Sequence, residues 1–239
     1  MKDKKIALIT GGNKGIGFEC VRQLSQKNYI TILGARNIER GLKAKSKLLG
    51  EGLENIFFHQ IDLERPEHFK SLFEEIDKHF GKLDVLINNA GIMEEKNQQL
   101  SGRQISVMET PLSVIEQSFK VNILGTLELT RTLIPLISRS NRGRILNVSS
   151  KMGCLTEMNG GYPAYRTSKA SLNALTRIFA DESAQTNICV NSVCPGWTKT
   201  DMGGPGAHRE VSDSSSKVLD ILEKNETGKF YFNGKLSDW

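Results

Sequence analysis

Tyr165 and Lys169 stand four residues apart in a segment with helical periodicity, so their side chains share one face of a helix. An ammonium group beside a phenol stabilises the phenolate and lowers the tyrosine pKa toward the working pH. Such a tyrosine can act as a catalytic acid or base, and the pair predicts that chemistry here. Tyr231 and Lys235 have the same spacing, but they flank Gly234 at a predicted strand end, where four residues do not define a shared face.

Two further polar positions are candidates for the same chemistry. Ser149 and Ser150 end a predicted strand, and a hydroxyl there could donate to a substrate carbonyl, although serine is also common in turns. Asn122 falls inside a long predicted helix, where asparagine is a mediocre helix former. We therefore expect a local break that exposes the Asn122 backbone carbonyl. Neither position carries an assignment alone.

A glycine-rich segment, Thr-Gly-Gly-Asn-Lys-Gly-Ile-Gly, covers residues 10–17 between a predicted strand and a predicted helix. Glycines permit a tight turn and close approach to a pyrophosphate, and the N–H groups and dipole of the helix start attract its negative charge. A tight turn without a ligand is the alternative, but the flanking strand and helix favour a dinucleotide site. The predicted contacts in this loop are Gly11, Asn13, Lys14, Gly15, Ile16 and Gly17.

The end of the second predicted strand indicates which dinucleotide is bound. Dinucleotide-binding folds usually have Asp or Glu there to bind the ribose 2′-hydroxyl, whereas this chain has Gly-Ala-Arg ending at Arg36. A carboxylate would repel a 2′-phosphate, and a guanidinium can pair with it through two parallel hydrogen bonds. Lys14 adds a second positive charge. Both could be solvated loop residues, but together they favour NADP(H) over NAD(H).

Two later strand ends add to the predicted cofactor site. Asp62 and Leu63 follow the third strand, where Asp62 could accept from the adenine amino group or instead cap the helix that begins near Pro66. Residues 88–91, Asn-Asn-Ala-Gly, end the fourth strand, and their small side chains permit close approach of a ribose. The candidate contacts here are Asn89, Ala90 and Gly91.

The elements that position these motifs alternate along the chain. Short runs rich in Ile, Leu, Val and Phe predict strands at residues 6–10, 30–35, 55–60, 83–88, 144–148, 188–194 and 228–232. Apolar residues at helical spacing predict helices at residues 17–27, 38–49, 66–80, 112–138 and 164–183, with a short one at 216–224. The polar stretches 93–110 and 203–216 are predicted to be loops that border a pocket.

Alternating strands and helices imply parallel strands joined by right-handed crossovers. We therefore predict an α/β fold of the Rossmann type, a doubly wound parallel β-sheet flanked by helices on both faces. Residues 1–239 would form it as one domain, a length that allows a sizeable core. Such sheets bind ligands beyond the carboxyl ends of their strands, and every motif above falls at such an end.

Composition excludes several classes of protein. A chain with 38% hydrophobic residues is not a disordered tail, and no stretch approaches the ~20 apolar residues that span a membrane. The segment Met-Lys-Asp-Lys-Lys has no signal-peptide core, so we expect a cytoplasmic location without membrane contact. The net charge of +5 comes from dispersed Lys and Arg, which predicts no nucleic-acid partner. The 4 cysteines stand singly and the 4 histidines lack ligand spacing, so neither disulfides nor a metal are expected.

In their order along the chain, these motifs resemble those of the short-chain dehydrogenases/reductases. The resemblance covers nearly the whole chain and rests on Thr10-Gly11-xxx-Gly15-x-Gly17, Asn88-Asn89-Ala90-Gly91, Asn122, Ser150, Tyr165-xxx-Lys169 and Pro195-Gly196. Within the family, the chain is most similar to NADPH-dependent carbonyl reductases. That similarity rests on the glycine segment, Cys194-Pro195-Gly196-Trp197, Thr200-Asp201-Met202 and Trp239.

The resemblance implies a role for each matching residue. Tyr165 would donate the proton in reduction, and Lys169 would tune it and hold the nicotinamide ribose. Ser150 would orient the carbonyl and Asn122 would anchor a proton-relaying water, whereas Ser149 would be structural. The segment that covers the nicotinamide carboxamide and the phosphates would contribute Pro195, Gly196, Thr198 and Thr200. The implied reaction is the NADPH-dependent reduction of a ketone, aldehyde or quinone carbonyl to the alcohol.

Two departures from the family pattern bear on assembly and substrate access. Vertebrate carbonyl reductases of this type carry a long insertion between the catalytic serine and tyrosine, where only residues 151–164 intervene here. In the family, that insertion is associated with a monomeric state. Its absence leaves two alternatives: a dimer or tetramer formed through the helices of Asn122 and Tyr165, or a monomer. The segment from Pro195 to the last strand is also shorter than in fatty-acid-synthesis reductases, which predicts a less covered substrate site.

Two other functions share parts of this pattern. A 3-oxoacyl-carrier-protein reductase has the same four catalytic residues, and the sequence pI of about 9.0 would suit an acidic carrier protein. A non-catalytic NADP(H)-binding sensor would keep the nucleotide loop but could lose Tyr165, Lys169 or Ser150, all of which are present. A small-molecule carbonyl substrate is therefore the preferred prediction.

Overall fold

One 8-stranded β-sheet forms the centre of the computed structural model, which describes residues 4–239. Residues 1–3, which belong to the N-terminal segment considered above for a signal peptide, lie outside the described residues. The strands are β1 (Ile6–Thr10), β2 (Ile30–Ala35), β3 (Ile56–Gln60), β4 (Val85–Asn88), β5 (Gly143–Val148), β6 (Ile188–Cys194), β7 (Phe230–Phe232) and β8 (Lys235–Ser237).

The strand order is β3-β2-β1-β4-β5-β6-β7-β8, and the pairs from β3 through β7 are parallel. The chain order reverses between β1 and β4, so the crevice at their carboxyl ends is the switch point at which such sheets bind ligands. This confirms the predicted doubly wound sheet. The prediction of an all-parallel sheet is wrong at one edge, where β8 pairs antiparallel with β7. The Asn233-Gly234 turn between them has positive φ at both residues, as a tight hairpin requires.

Helices cover both faces of the sheet. They are α1 (Gly15–Gln26), α2 (Ile38–Gly50), α3 (Glu67–Phe80), α4 (Glu94–Asn97), α5 (Leu112–Phe119), α6 (Thr126–Ile137), α7 (Pro163–Glu182) and α8 (Val211–Asp220). Alternate strand residues point to opposite faces. Leu8 therefore packs in a core with α3, α6 and α7, whereas Ile9 packs in a second core with α1, α2 and α8. Within residues 4–239, no helix is long and apolar enough to cross a membrane.

The helices differ from the predictions at two functional places. The predicted helix 112–138 is divided into α5 and α6 by a π-helical turn, Lys120–Gly125, which contains Asn122. The predicted helix 216–224 begins earlier, at Val211, because the serines ahead of it are packed and bonded rather than looped out. Ser215 is buried, and its hydroxyl donates to the Ile16 carbonyl of α1 at 3.2 Å.

Candidate active site

A cleft of about 650 Å³ lies at the carboxyl ends of the strands around the switch point. Most residues predicted to contact the cofactor line it, together with the tyrosine and lysine predicted to do chemistry. These are Gly11, Asn13, Lys14, Gly15, Ile16, Arg36, Asp62, Leu63, Asn89, Ala90, Gly91, Tyr165, Lys169, Pro195 and Thr200. Motifs separated by more than a hundred residues along the chain therefore share one cavity.

Three predicted cofactor contacts lie beneath this cleft instead of lining it. Gly17 is in the first turn of α1, where an added Cβ would lie 2.4 Å from the Gly11 carbonyl oxygen. Thr198 is buried, and its hydroxyl lies 2.6 Å from the Ser214 hydroxyl. Gly196 has a φ of +82°, and an added Cβ would lie 2.5 Å from the Arg209 guanidinium. These residues support the cleft by packing and backbone conformation.

The glycine loop is held rigidly against the end of β4. The Thr10 hydroxyl accepts hydrogen bonds from the backbone N–H groups of Asn89 and Ala90, each at 3.0 Å. The Asn89 side-chain amide donates to the Thr10 carbonyl at 2.8 Å. Gly11 and Gly15 have positive φ values of 66° and 56°, which other residues adopt at a cost. The loop therefore has a fixed shape open to a phosphate group.

Positive side chains collect at one end of the cleft. Arg36 lines it as predicted, and Arg40 of α2 lines it as well, which the sequence reasoning missed. Asn37 caps α2, because its side chain accepts a hydrogen bond from the Arg40 N–H at 2.8 Å. This bond fixes Arg40 in the first turn of α2. Lys14 lies 2.6 Å from Asp201, and this hydrogen bond lowers the pKa of the Asp201 carboxyl. This end of the cleft suits an anionic group.

Asp62 has a structural contact in addition to its place in the cleft. Its Oδ1 accepts from the Glu64 N–H at 3.1 Å, and its backbone N–H donates to His68 Nδ1 at 3.2 Å. These bonds stabilise the turn that leads into α3. The helix-capping alternative for Asp62 is wrong, because Pro66 precedes α3 and the helix has no side-chain capping bond. The second carboxylate oxygen of Asp62 is 3.9 Å from Arg65.

Tyr165 and Lys169 lie at the other end, on the inner face of α7, with 7% and 5% of their surfaces exposed. Lys169 Nζ is 5.6 Å from the centroid of the Tyr165 ring and donates to the Val148 carbonyl at 2.9 Å. Burial lowers the pKa of Lys169 to about 8. Burial also raises the pKa of Tyr165, with a smaller contribution from Cys194, so in this arrangement desolvation outweighs the lowering expected from the lysine.

The two serines after β5 occupy different surroundings. Ser150 forms a side-chain hydrogen bond with Tyr165, which opposes the rise in the tyrosine pKa, and its hydroxyl accepts from the Met152 N–H at 3.1 Å. Ser149 is buried, and its hydroxyl donates to the Lys169 carbonyl at 3.3 Å. Ser150 is thus the serine positioned beside the phenol, whereas Ser149 fastens β5 to α7.

The π-helical turn provides the break expected at Asn122. Its side-chain oxygen accepts from the Ile92 N–H at 2.8 Å, and its amide donates to the Ile92 carbonyl at 2.9 Å and to Ser168 at 3.0 Å. An added Cβ on Gly91 would lie 3.1 Å from the Asn122 oxygen and 3.4 Å from Lys169 Nζ. The side chain therefore joins the segment after β4 to α7, and π-turns frequently occur at functional sites.

The predicted loops do border the cleft. Met93, Lys96 and Asn97 line it from the first, which contains the short helix α4, and Val211 at the start of α8 lines it from the second. Lys96 Nζ donates at 2.7 Å to the carbonyl of Met202, which also lines the cleft. The four cysteines are free thiols, and residues 4–239 contain no cluster of three His, Cys, Asp or Glu side chains that could hold a metal.

Comparison with known proteins identifies the family of this arrangement. A family model for short chain dehydrogenase matches residues 5–210. Salutaridine reductase of Papaver somniferum is 31% identical over 300 aligned positions, covering 98% of this chain and 96% of that protein. Carbonyl reductase [NADPH] 1 of Mus musculus is 30% identical, covering 99% of both.

Solved structures agree with these sequence relationships. The structure of salutaridine reductase from Papaver somniferum superposes with a TM-score of 0.83 at 30% identity, covering 95% of this chain and 99% of that one. The NADPH-bound carbonyl reductase from chicken fatty liver superposes with a TM-score of 0.86 at 25% identity, covering 99% of both. The alignment of 300 positions exceeds the 239 residues of this chain, so the Papaver relative contains stretches that have no counterpart here.

Proposed function

The chain belongs to the short-chain dehydrogenase family, and from this premise we propose that it is an NADPH-dependent reductase of small ketones, aldehydes or quinones. The observation that carries the proposal is a single cleft. It is lined at one end by the glycine loop and Arg36 and at the other by Tyr165 and Lys169, and the hydroxyl of Ser150 bonds with Tyr165.

The residues of the cleft fit NADP(H). Gly11 and Gly15 have positive φ and no side chains. The loop backbone can therefore approach a pyrophosphate closely. Arg36 and Lys14 supply the positive charge that a 2′-phosphate requires, and a guanidinium can bind it with two parallel hydrogen bonds. The name of one relative, carbonyl reductase [NADPH] 1 of Mus musculus, includes this coenzyme. When bound, the reduced nicotinamide supplies the hydride.

Tyr165 serves as the proton donor in this proposal. Its raised pKa keeps the phenol protonated at neutral pH, so the proton is available for the oxygen of the substrate carbonyl. The hydroxyl of Ser150, beside the phenol, donates a hydrogen bond to the same oxygen and orients it. Both groups stabilise negative charge that develops on oxygen as the carbonyl carbon is reduced.

Lys169 stabilises the tyrosine after it has lost its proton. Because its pKa is about 8, most of its amino groups are protonated at pH 7. The ammonium group then faces a phenolate at close range in a buried site, where opposite charges attract strongly. Asn122 holds the segment after β4 against α7 through its side-chain bonds, and in this proposal its backbone carbonyl anchors a water that returns the proton.

The test is a coenzyme and substrate screen with the purified protein. Oxidation of NADPH and of NADH is followed by absorbance with a panel of simple ketones, aldehydes, quinones and an acyl-carrier-protein thioester. We expect turnover with several small carbonyls and a preference for NADPH. Turnover restricted to the carrier-bound substrate would replace the proposal with a 3-oxoacyl-carrier-protein reductase. NADPH binding without turnover on any substrate would indicate a sensor.

A further inference from the structure

Glu95 is a buried carboxylate that contacts the backbone of the residue proposed as the proton donor. It belongs to α4 and is 0% exposed. Its Oε1 accepts a hydrogen bond from the Tyr165 backbone N–H at 3.0 Å. Its Oε2 is also buried and has no hydrogen-bond partner among the described residues. A carboxylate removed from water with half of its bonding capacity unused costs stability, so its position requires an explanation.

The start of α7 supplies part of that explanation. The residue that precedes this helix, Tyr162, has a φ of 54° and makes no side-chain capping bond. Pro163 occupies the first helical position and has no N–H to offer. The free N–H groups of a first turn need acceptors, and a local Ser, Thr, Asp or Asn normally provides one. Here Glu95 provides it from a position 70 residues earlier in the chain.

The Glu95 carboxylate lies at the amino end of α7. The positive end of the helix dipole attracts an anion placed at the first turn. The other charges of α4 have other partners. Glu94 accepts hydrogen bonds from Asn97 and from Gln98, which follows the helix, and Lys96 donates to the Met202 carbonyl. Glu95 therefore carries its charge toward α7.

Three titratable groups lie near Tyr165 on different elements. Lys169 lies one turn further along α7, Cys194 ends β6, and Glu95 approaches from α4, while the Ser150 hydroxyl bonds the phenol. Burial is the largest cause of the raised pKa of Tyr165, and Cys194 and the negative charge of Glu95 raise it further. The charge and the capping bond of Glu95 thus act on the same residue.

We propose that Glu95 is a positioning residue for Tyr165, which fixes the first turn of α7 and, as a buried anion, holds the proton on the phenol. The inference rests on the proposed function for its catalytic consequence. A site that retains this proton to high pH is suited to carbonyl reduction. The same site is poorly suited to alcohol oxidation, which needs the phenolate as base.

Glu95→Gln separates the charge from the capping bond, because the amide keeps the size and one acceptor oxygen. Glu94→Gln is the matched control, since it removes a neighbouring charge whose oxygens accept from Asn97 and Gln98 and not from α7. We expect Glu95→Gln to shift the pH dependence of reduction and of alcohol oxidation toward lower pH, with unchanged NADPH affinity. Glu94→Gln should leave both profiles unchanged. A wild-type profile for Glu95→Gln would overturn the charge role.

Glu95→Ala removes the capping bond as well. We expect a lower kcat than for Glu95→Gln, with little change in the KM for NADPH, because the first turn of α7 loses its acceptor. A kcat equal to that of Glu95→Gln would overturn the positioning role. If Glu95→Ala does not fold, Glu95→Ser with added acetate or formate provides the same comparison, with rescue expected from the small carboxylate.

A readout without turnover keeps this inference separate from the proposed function. Tyrosinate absorbance is titrated in the chain without coenzyme, and the Tyr165→Phe variant identifies the contribution of Tyr165. In the Glu95→Gln background, the Tyr165 contribution should appear at lower pH than in the wild type. An identical titration would refute the electrostatic role even if the protein reduces carbonyls, and a shift would support it even if no substrate is found.

Discussion

Lys14 Nζ lies 2.6 Å from Asp201 Oδ2, which joins the glycine loop to the segment after β6 across the mouth of the cleft. The two side chains are 61% and 78% exposed, so water screens the pair and it contributes about 0–1 kcal/mol. Lys14 is also a proposed ligand of the 2′-phosphate. If Lys14 binds the 2′-phosphate as proposed, the Asp201 carboxylate and the coenzyme compete for one ammonium group.

Asp201→Asn should strengthen NADPH binding by removing this competitor. We expect a Kd for NADPH about two- to fivefold lower at low ionic strength, and little change for NADH, which has no 2′-phosphate. Fluorescence titration of both coenzymes measures the effect. High salt should reduce the difference, because exposed charges are screened. Equal changes for NADPH and NADH would contradict the assignment of Lys14 to the 2′-phosphate.

Tyr165→Phe removes the phenolic oxygen while keeping the buried ring. Because general acid catalysis typically contributes about 10²–10⁴-fold, we expect carbonyl reduction to fall by that factor. The Kd for NADPH should remain near the wild-type value, since the ring and Lys169 are retained. Single-turnover oxidation of bound NADPH measures the chemical step. Near-normal reduction by this variant would show that another group supplies the proton.

Lys169→Met should make the protein more stable and less active. The pKa of Lys169 is lowered by burial to about 8, against an unfolded value near 10.5. Between these two pKa values the unfolded chain binds more protons than the folded chain. The cost of burying the ammonium therefore lowers the free energy of unfolding in full below pH 8 and disappears as the pH rises toward 10.5. We expect a gain of roughly 2 kcal/mol at pH 7, after allowance for the lost bond to the Val148 carbonyl.

Urea denaturation of this variant and of the wild type at pH 7 and pH 10 checks the sign. The wild type should be the less stable protein at pH 7, and the difference should shrink at pH 10. Carbonyl reduction should fall at both pH values. A variant less stable than the wild type at pH 7 would mean that the ammonium is better solvated than its burial implies.

Gly17→Ala should damage the coenzyme site through packing alone. Its Cβ would lie 2.4 Å from both the Asn89 side-chain nitrogen and the Gly11 carbonyl, so the loop or α1 must move. We expect a loss of about 1–3 kcal/mol in stability and weaker binding of both NADPH and NADH. Gly50→Ala is the control, since nothing lies within 4 Å of its added Cβ. The control should keep wild-type binding and gain up to about 1 kcal/mol.

The sequence predicts the central strands well because they are buried on both faces. The bounds of β1, β2 and β6 agree with the prediction residue for residue, since short runs rich in Ile, Leu and Val are typical of buried parallel strands. The Asn122 break was expected from helix propensity. In contrast, β8 was missed because its three residues have no apolar pattern, and only the Asn233-Gly234 turn pairs them with β7.

The parts of the site that sequence reasoning missed depend on contacts between distant residues. Arg40 lines the cleft because α2 begins with a capping bond between the Arg40 N–H and the Asn37 side chain. No sequence motif indicates this bond. Glu95 stands in a polar segment that reads as a loop, and its burial against α7 arises only in the folded chain. The pKa of Tyr165 was expected to fall beside Lys169, but the degree of desolvation cannot be read from spacing.

The packing of α8 on α1 has a consequence for how the protein is made. The glycine loop leads into α1, whose Ile16 carbonyl accepts from Ser215 and whose Gln23 donates to the Ser212 carbonyl at 3.1 Å. These partners leave the ribosome almost two hundred residues later, and contacts so distant in sequence slow folding. A nascent chain that already contains the glycine loop and α1 still lacks α8, which packs against them. The glycine loop and α1 therefore reach their final packing only after the chain has been synthesised through α8.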